Sequence, residues 1–105
     1  MATKVLGQVN PGATTATTLY TVPADLSTVG STLTVCNQGA TGTYRIAVRP
    51  AGAVLAAKHY IAYDAGLAAN STDTWTIGVT LATTDVVTVY ASTANFSFCL
   101  FGDES

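Results

Sequence analysis

The sequence predicts an all-β fold, an antiparallel β-sandwich (jelly-roll or immunoglobulin-like) of about seven to eight short strands. Three observations support this prediction. Short segments alternate apolar and polar side chains with the period of two that is typical of a half-buried strand. Glycine, proline and asparagine separate these segments at intervals of roughly 8–14 residues. Threonine, whose branched Cβ suits a pleated surface, is common throughout, and no long stretch has helical periodicity.

The clearest alternation lies near the middle of the chain. There Tyr44, Ile46 and Val48 fall on one strand face, while Arg45 and Arg49 fall on the other. A Pro-Ala-Gly segment then ends the strand. The same reasoning predicts strands at residues 17–22, 30–37, 43–49, 58–64, 72–77, 86–91 and 95–101. The predicted core consists of Leu19 or Tyr20, Leu33, Val35, Ile46, Val48, Ile61, Trp75, Ile77, Leu81, Val87, Val89, Phe96, Phe98 and Leu100.

The length of 105 residues predicts a single domain. We assign residues 17–105 to the sandwich and residues 1–16, which include an Asn-Pro-Gly turn signal, to an N-terminal arm or edge strand. The immunoglobulin signature fits poorly, because Trp75 lies too late in the chain for the usual tryptophan of the third strand. Residues 102–105 are predicted to be a short acidic tail.

Charged residues make up only 10% of the chain, against about 25% in an average domain. The net charge of −2 lacks the basic footprint of a nucleic-acid-binding protein, and no apolar run is long enough to span a membrane. The first ten residues have no apolar signal-peptide region, so we expect synthesis in the cytoplasm without secretion. An uncharged surface suits a protein that works in an assembly, although a free-standing small domain has the same composition.

The sequence predicts no catalytic site, no cofactor and no metal site. His59 is the only histidine, and no G-x-S-x-G nucleophile motif occurs. No His, Cys or acidic cluster has the spacing of metal ligands. A reducing cytoplasm favours free thiols at Cys36 and Cys99 over a bond between them.

The possible interface residues are basic or aromatic and lie in and just after the central strand. Arg45 and Arg49 share a strand face, roughly 13 Å apart by strand rise, and arginine is enriched in binding hot spots. The alternative is two solvated charges on an outer sheet face. The complete set is Arg45, Arg49, Lys58, His59 and Tyr60.

Several segments resemble, in their order and spacing, small structural proteins of tailed bacteriophage virions. They are TLYTVPA, TLTVCNQG, YRIAVRPAG, LAANSTDTWTIGVTLATTDVVTVYAST and FSFCLFGDE. The resemblance extends over residues 5–104. It implies a β-sandwich that decorates a capsid or forms part of a tail or fibre, and it carries no catalytic residues to this chain.

The short, single-domain chain most resembles a capsid decoration, or cement, protein on the outer surface of the head. The resemblance then implies a homotrimer that bridges major capsid protein subunits, with the N-terminal arm adding a strand to a neighbour. One alternative is a tail, baseplate or fibre component that takes part in host attachment. Another is a carbohydrate-binding module, for which exposed Tyr60, Tyr90 or Trp75 would be the feature to look for.

Overall fold

Nine strands form the fold seen in the computed structural model, which describes residues 2–105. In chain order they are β1 (Ala2–Val9), β2 (Thr17–Thr21), β3 (Thr28–Asn37), β4 (Gly42–Arg49), β5 (Tyr60–Leu67), β6 (Thr72–Trp75), β7 (Val79–Leu81), β8 (Val86–Ala91) and β9 (Phe96–Glu104). The helical elements of the described chain are two single 3-10 turns between β4 and β5, at Pro50–Gly52 and Ala57–His59. The predicted all-β antiparallel sandwich is therefore confirmed.

The strands pair in a nested order that identifies the sandwich as a jelly roll. The first sheet has the order β1-β9-β3-β6, with β7 also paired to β3, and the second has the order β2-β8-β4-β5. Early strands thus pair with late ones, β1 with β9 and β2 with β8, while β4 and β5 pair as neighbours in the chain. This is a long hairpin rolled into two facing sheets, which is the jelly-roll arrangement rather than the immunoglobulin one.

The structure has nine strands where seven to eight were predicted: β1 is the edge-strand alternative for the N-terminal segment, and β7 was not predicted. The predicted strand at 72–77 ends earlier, and Gly78, with a φ of 56°, turns the chain before β7. Both β6 and β7 then pair along β3, at residues 33–36 and 28–30 respectively. A left-handed backbone is favourable for glycine because it lacks a Cβ, so Gly78 divides one sheet edge into two short strands.

The N-terminal residues 2–9 form an edge strand of the first sheet, paired along β9. A Cβ at Gly7 would collide with the backbone carbonyl of Leu19, so glycine allows β1 to lie close against β2. The expected acidic tail is not free either, because β9 continues to Glu104 and Ser105 exchanges two backbone hydrogen bonds with Ser27. Residues 2–9 and 96–105 are therefore both held in or beside the first sheet.

A polar bridge crosses the core between the sheets. Tyr44 of β4 is fully buried and packs against Phe96 and Phe98 of β9, each at a ring-centroid distance of 6.1 Å. Its hydroxyl donates to an Asp73 oxygen at 2.8 Å and accepts from the Trp75 indole N–H at 2.8 Å. Desolvation by burial and the hydrogen bond to Asp73 raise the pKa of Tyr44 to about 12. The bridge satisfies three polar groups at the edge of an otherwise apolar core.

The core contains most of the predicted residues, with one clear exception. Ile61 is 46% exposed, because the pairing of β4 with β5 shifts register twice. Ile46 pairs with Ala62 and Ala47 with Tyr60, so Ile61 is the extra residue of a bulge and Ala62 points inward in its place. Three other predicted core residues are only half-buried: Val48, Trp75 and Ile77.

Candidate interaction surfaces

The connection between β4 and β5, residues 50–59, lies over the outer face of the second sheet. Ala47 and Thr88 belong to that outer face by register, yet they are only 1% and 7% exposed. The Asp85 carboxylate accepts from the Ala51 N–H at 2.8 Å and from the Ala82 N–H at 2.9 Å. It thereby fastens the start of the connection to the turn before β8.

Arg45 is the centre of an aromatic and charged cluster on the uncovered part of this face. Its guanidinium lies 4.1 Å from the ring centroid of Tyr63 and 4.3 Å from that of Tyr90. Its Nε donates to Asp64 at 2.7 Å, and a second, longer contact at 3.4 Å joins the same two side chains. This hydrogen bond to Asp64 is the main cause that raises the pKa of Arg45. The cation is thus held in one orientation between two rings.

A β-bulge explains how two neighbouring residues of β5 can both reach Arg45. Tyr44 pairs with Ala65 and Ile46 pairs with Ala62, so Tyr63 and Asp64 together lie opposite the single residue between them on β4. Asp64 has a φ of 51°, a left-handed conformation that aspartate tolerates better than most residues. Because of the bulge, Tyr63 and Asp64, which would otherwise point to opposite faces of the strand, both point toward Arg45.

A groove runs beside this cluster, between the covering connection and the start of β5. It is a shallow groove open to solvent, with a volume of about 620 Å³, and it is lined by Leu55, Ala56, Ala57, Tyr60 and Tyr63. The rings of Tyr60 and Tyr63 meet edge to face, with centroids 5.0 Å apart and planes at 82°. Tyr63 is 60% exposed, so the groove presents an accessible aromatic wall next to an apolar floor.

The five predicted interface residues differ in where they lie and in how exposed they are. Arg45 and Tyr60 lie at the cluster and groove, and Lys58 is exposed. Arg49 is half-buried, and its Nε is a buried donor without a hydrogen-bond partner among the described residues. His59 is buried, with 6% of its surface exposed, and its Nδ1 accepts from the Ala56 N–H at 3.0 Å.

Tyr63 and Tyr90 complete the cluster but were not among the predicted interface residues. Tyr90 reaches Arg45 by cross-strand pairing between β8 and β4, and Tyr63 reaches it through the bulge. No local sequence pattern marks either contact, since both depend on strand pairing. The aromatic residues expected to be exposed in a carbohydrate module, Tyr60, Tyr90 and Trp75, are all half-buried instead.

The outer face of the first sheet has the opposite character, because it is almost without charge. By register and burial it is formed by Thr3, Val5, Gln8, Val29, Thr32, Thr34, Cys36, Thr72, Thr74, Thr80, Ser97, Cys99, Phe101 and Asp103. Of these only Asp103 is charged, and its carboxylate accepts from the Thr3 hydroxyl. Val5 and Val29 are 47% and 43% exposed, and both cysteines are free thiols. We call this surface the uncharged face.

Two further features of residues 2–105 concern other kinds of site. No three His, Cys, Asp or Glu side chains come together there as a set that could hold a metal ion. The same residues form no helix that is long and apolar enough to cross a membrane. Comparisons with known proteins found no matching family model, no matching curated protein and no matching solved structure.

Proposed function

We propose that this chain is a virion structural protein of a tailed bacteriophage, a capsid decoration protein whose uncharged face docks on the head. Bound there as a homotrimer, it bridges major capsid protein subunits and stabilises the shell. The observation that carries the proposal is the composition of the uncharged face, in which only Asp103 is charged. The sequence resemblance over residues 5–104 supplies the virion context.

Two physical reasons favour the uncharged face as the surface that docks on the capsid. The cores of permanent interfaces are depleted of charge, because desolvating a charge costs far more than desolvating a hydroxyl. Val5 and Val29 add exposed apolar area, and half-buried Phe101 pairs with Val5 across the sheet. Contacts across this face would bury apolar surface and threonine methyl groups without leaving charged side chains buried and unpaired.

The dimensions suit a protein that touches several subunits. The face is four strands wide, with neighbouring strands about 4.8 Å apart. Along each strand about four side chains point outward, one every second residue, about 6.8 Å apart, so the face has an area of roughly 500 Å². A standard interface buries about 800 Å² on each partner. The face therefore supplies the larger part of such an interface, and the exposed edge strands on either side supply further contacts when the protein lies across a junction between subunits.

The fold class is consistent with this role but does not by itself establish it. Jelly rolls are common in viral capsid proteins and also occur in lectins and cupins. The structure changes one expectation, that a free N-terminal arm adds a strand to a neighbour. Residues 2–9 pair with β9 of their own sheet and are no free arm, so an added strand from a neighbour would have to use a sheet edge, such as the outer edge of β1.

A matched pair of charge substitutions tests the docking surface. Thr34→Lys places a cation at the centre of the uncharged face, whereas Thr18→Lys places the same charge on the outer face of the second sheet. Both variants are mixed with purified shells that lack the protein, and bound protein is counted after sedimentation and located by cryo-electron microscopy.

We expect Thr34→Lys to lower shell occupancy at least tenfold and Thr18→Lys to leave it unchanged, with both variants folded by circular dichroism. Equal occupancy for the two variants, or loss only with Thr18→Lys, would contradict docking through the uncharged face. Wild-type protein bound at the tail and not at the head would replace the decoration role with the tail, baseplate or fibre role.

A further inference from the structure

The groove beside Arg45 has the properties of a ligand site, and it lies on the sheet opposite the proposed docking face. Its volume of about 620 Å³ is within the range of roughly 300–1,000 Å³ that is usual for small-molecule sites. We propose that this groove binds an acidic carbohydrate, a segment of linked uronic acid or similar anionic sugar residues. The inference is independent of the docking proposal.

The lining favours a sugar over other small ligands. Tyrosine offers a flat ring, against which the C–H face of a sugar stacks, and a hydroxyl that can bond to a sugar hydroxyl. Tyr60 and Tyr63 supply two such rings at nearly a right angle, and both line the groove. Their mutual contact and that of Arg45 with Tyr63 limit ring motion, so little side-chain entropy is lost on binding. Leu55, Ala56 and Ala57 form a shallow apolar floor.

The charged residues near the groove indicate which ligand charge it favours. Three of the four basic residues, Arg45, Arg49 and Lys58, lie on the outer face of the second sheet or in the connection that covers it. The acidic groups nearby are already engaged, Asp64 by Arg45 and Asp85 by backbone N–H groups. The groove lining contains no acidic side chain. The three basic and two acidic side chains leave a net charge of +1 in this region, and Lys58 is its exposed cation without an ion pair among the described residues. The region therefore favours an anionic ligand on a chain of net charge −2.

Lys58 is the residue that we expect to pair with the negative charge of the ligand. It follows Ala57 of the groove lining, is exposed, and makes no ion pair within residues 2–105. A cationic guest is disfavoured for a second reason. The Arg45 guanidinium already lies against the electron-rich faces of Tyr63 and Tyr90.

Nuclear magnetic resonance of the 15N-labelled full chain tests the proposal with three probes. They are a hexasaccharide of linked uronic acids, a hexasaccharide of linked glucose, and poly-L-glutamate of matched charge. We expect the uronic acid hexasaccharide to shift the backbone amide signals of residues 55–63 and to bind more tightly than the other two. No shift in this segment at millimolar concentration, or equal affinity for poly-L-glutamate, would overturn the proposal.

Four variants locate the contacts. Tyr63→Ala should raise the Kd for the uronic acid hexasaccharide about tenfold, equivalent to about 1.4 kcal/mol, and Lys58→Gln about threefold, as for an exposed ion pair. Val54→Ala, in the same connection but outside the lining, should leave the Kd unchanged. Lys4→Gln removes the same charge from the other sheet and should also have no effect.

Tyr63 also contacts Arg45, so a folding defect must be kept separate from a binding defect. Tyr63→Leu retains apolar bulk without the ring and should weaken binding as Tyr63→Ala does, with amide signals outside the cluster unchanged. Wild-type affinity in either Tyr63 variant would overturn the stacking role, and equal losses with Lys58→Gln and Lys4→Gln would overturn the placement of the ligand charge at Lys58.

Discussion

Two buried threonines should respond in opposite directions to the same substitution. Thr88 and Thr28 are 7% and 2% exposed, and both lie in strands. The Thr88 hydroxyl is buried without a hydrogen-bond partner among the described residues. The Thr28 hydroxyl lies 2.8 Å from the Tyr20 hydroxyl. Valine replaces each hydroxyl by a methyl group of similar size and keeps the branched Cβ that strands favour.

The magnitudes follow from the two environments. A buried hydroxyl without a partner costs about 1–3 kcal/mol, so Thr88→Val should raise the free energy of unfolding by about 1 kcal/mol. Thr28→Val removes a hydrogen bond of about 1 kcal/mol and should lower the free energy of unfolding by about that amount. Tyr20 keeps its hydrogen bond to Glu104, at 2.5 Å, which limits the loss. For a domain of this size the two variants should differ by roughly 10 °C in Tm.

Urea denaturation followed by circular dichroism and by Trp75 fluorescence measures both changes. The dependence of the free energy on urea concentration should be equal in the two variants, because neither changes the surface exposed on unfolding. A fall in stability of more than about 0.5 kcal/mol in Thr88→Val, or changes of the same sign in both variants, would refute the reasoning. It would mean that the Thr88 hydroxyl contributes a hydrogen bond to the folded state.

Four further substitutions, one of them a control, test the core and the terminal strands. Tyr44→Phe should lower the free energy of unfolding by about 2–3 kcal/mol. Because the folded-state pKa of Tyr44 is raised to about 12, the wild-type chain should lose stability as the pH rises from about 10 to about 12, and a circular dichroism titration should show a smaller loss in the variant. Gly102→Ala should destabilise by about 3 kcal/mol or more in urea, since its Cβ would collide with the Val29 backbone, whereas Gly66→Ala meets no atom within 4 Å and should change stability by less than about 1 kcal/mol. The Lys4 ammonium is the main cause that lowers the pKa of Glu104; Lys4→Met should raise that pKa in an NMR titration and reduce the stability that the wild-type chain loses as the pH falls through it. A Tyr44→Phe variant as stable as the wild type, equal losses in the two glycine variants, or an unchanged Glu104 pKa would each contradict the corresponding contact.

The sequence by itself determined the strands and most of the core. Alternation of apolar and polar residues is a local property, and it places Leu33, Ile46 and Phe98 on inward faces whatever partner each strand finds. Turn residues likewise end the strands locally, as Pro23 does after β2 and Pro50 does after β4. Alternation, the regular spacing of turn residues and the lack of helical periodicity together predicted an all-β sandwich. The low charge count indicated an uncharged surface but could not say where it would lie.

Only the tertiary structure decided which strands pair and which side chains meet. The choice of a jelly roll depends on contacts between the two ends of the chain, β1 with β9, which no local pattern specifies. The bulges in β5 expose Ile61 and bring Tyr63 to Arg45, while strand pairing brings Tyr90 to the same cation from 45 positions further along the sequence. Long-range pairing fixes the register, and a shift of one residue reverses the face on which a side chain lies. The groove and the uncharged face are therefore products of the assembled sheets and not of any one segment.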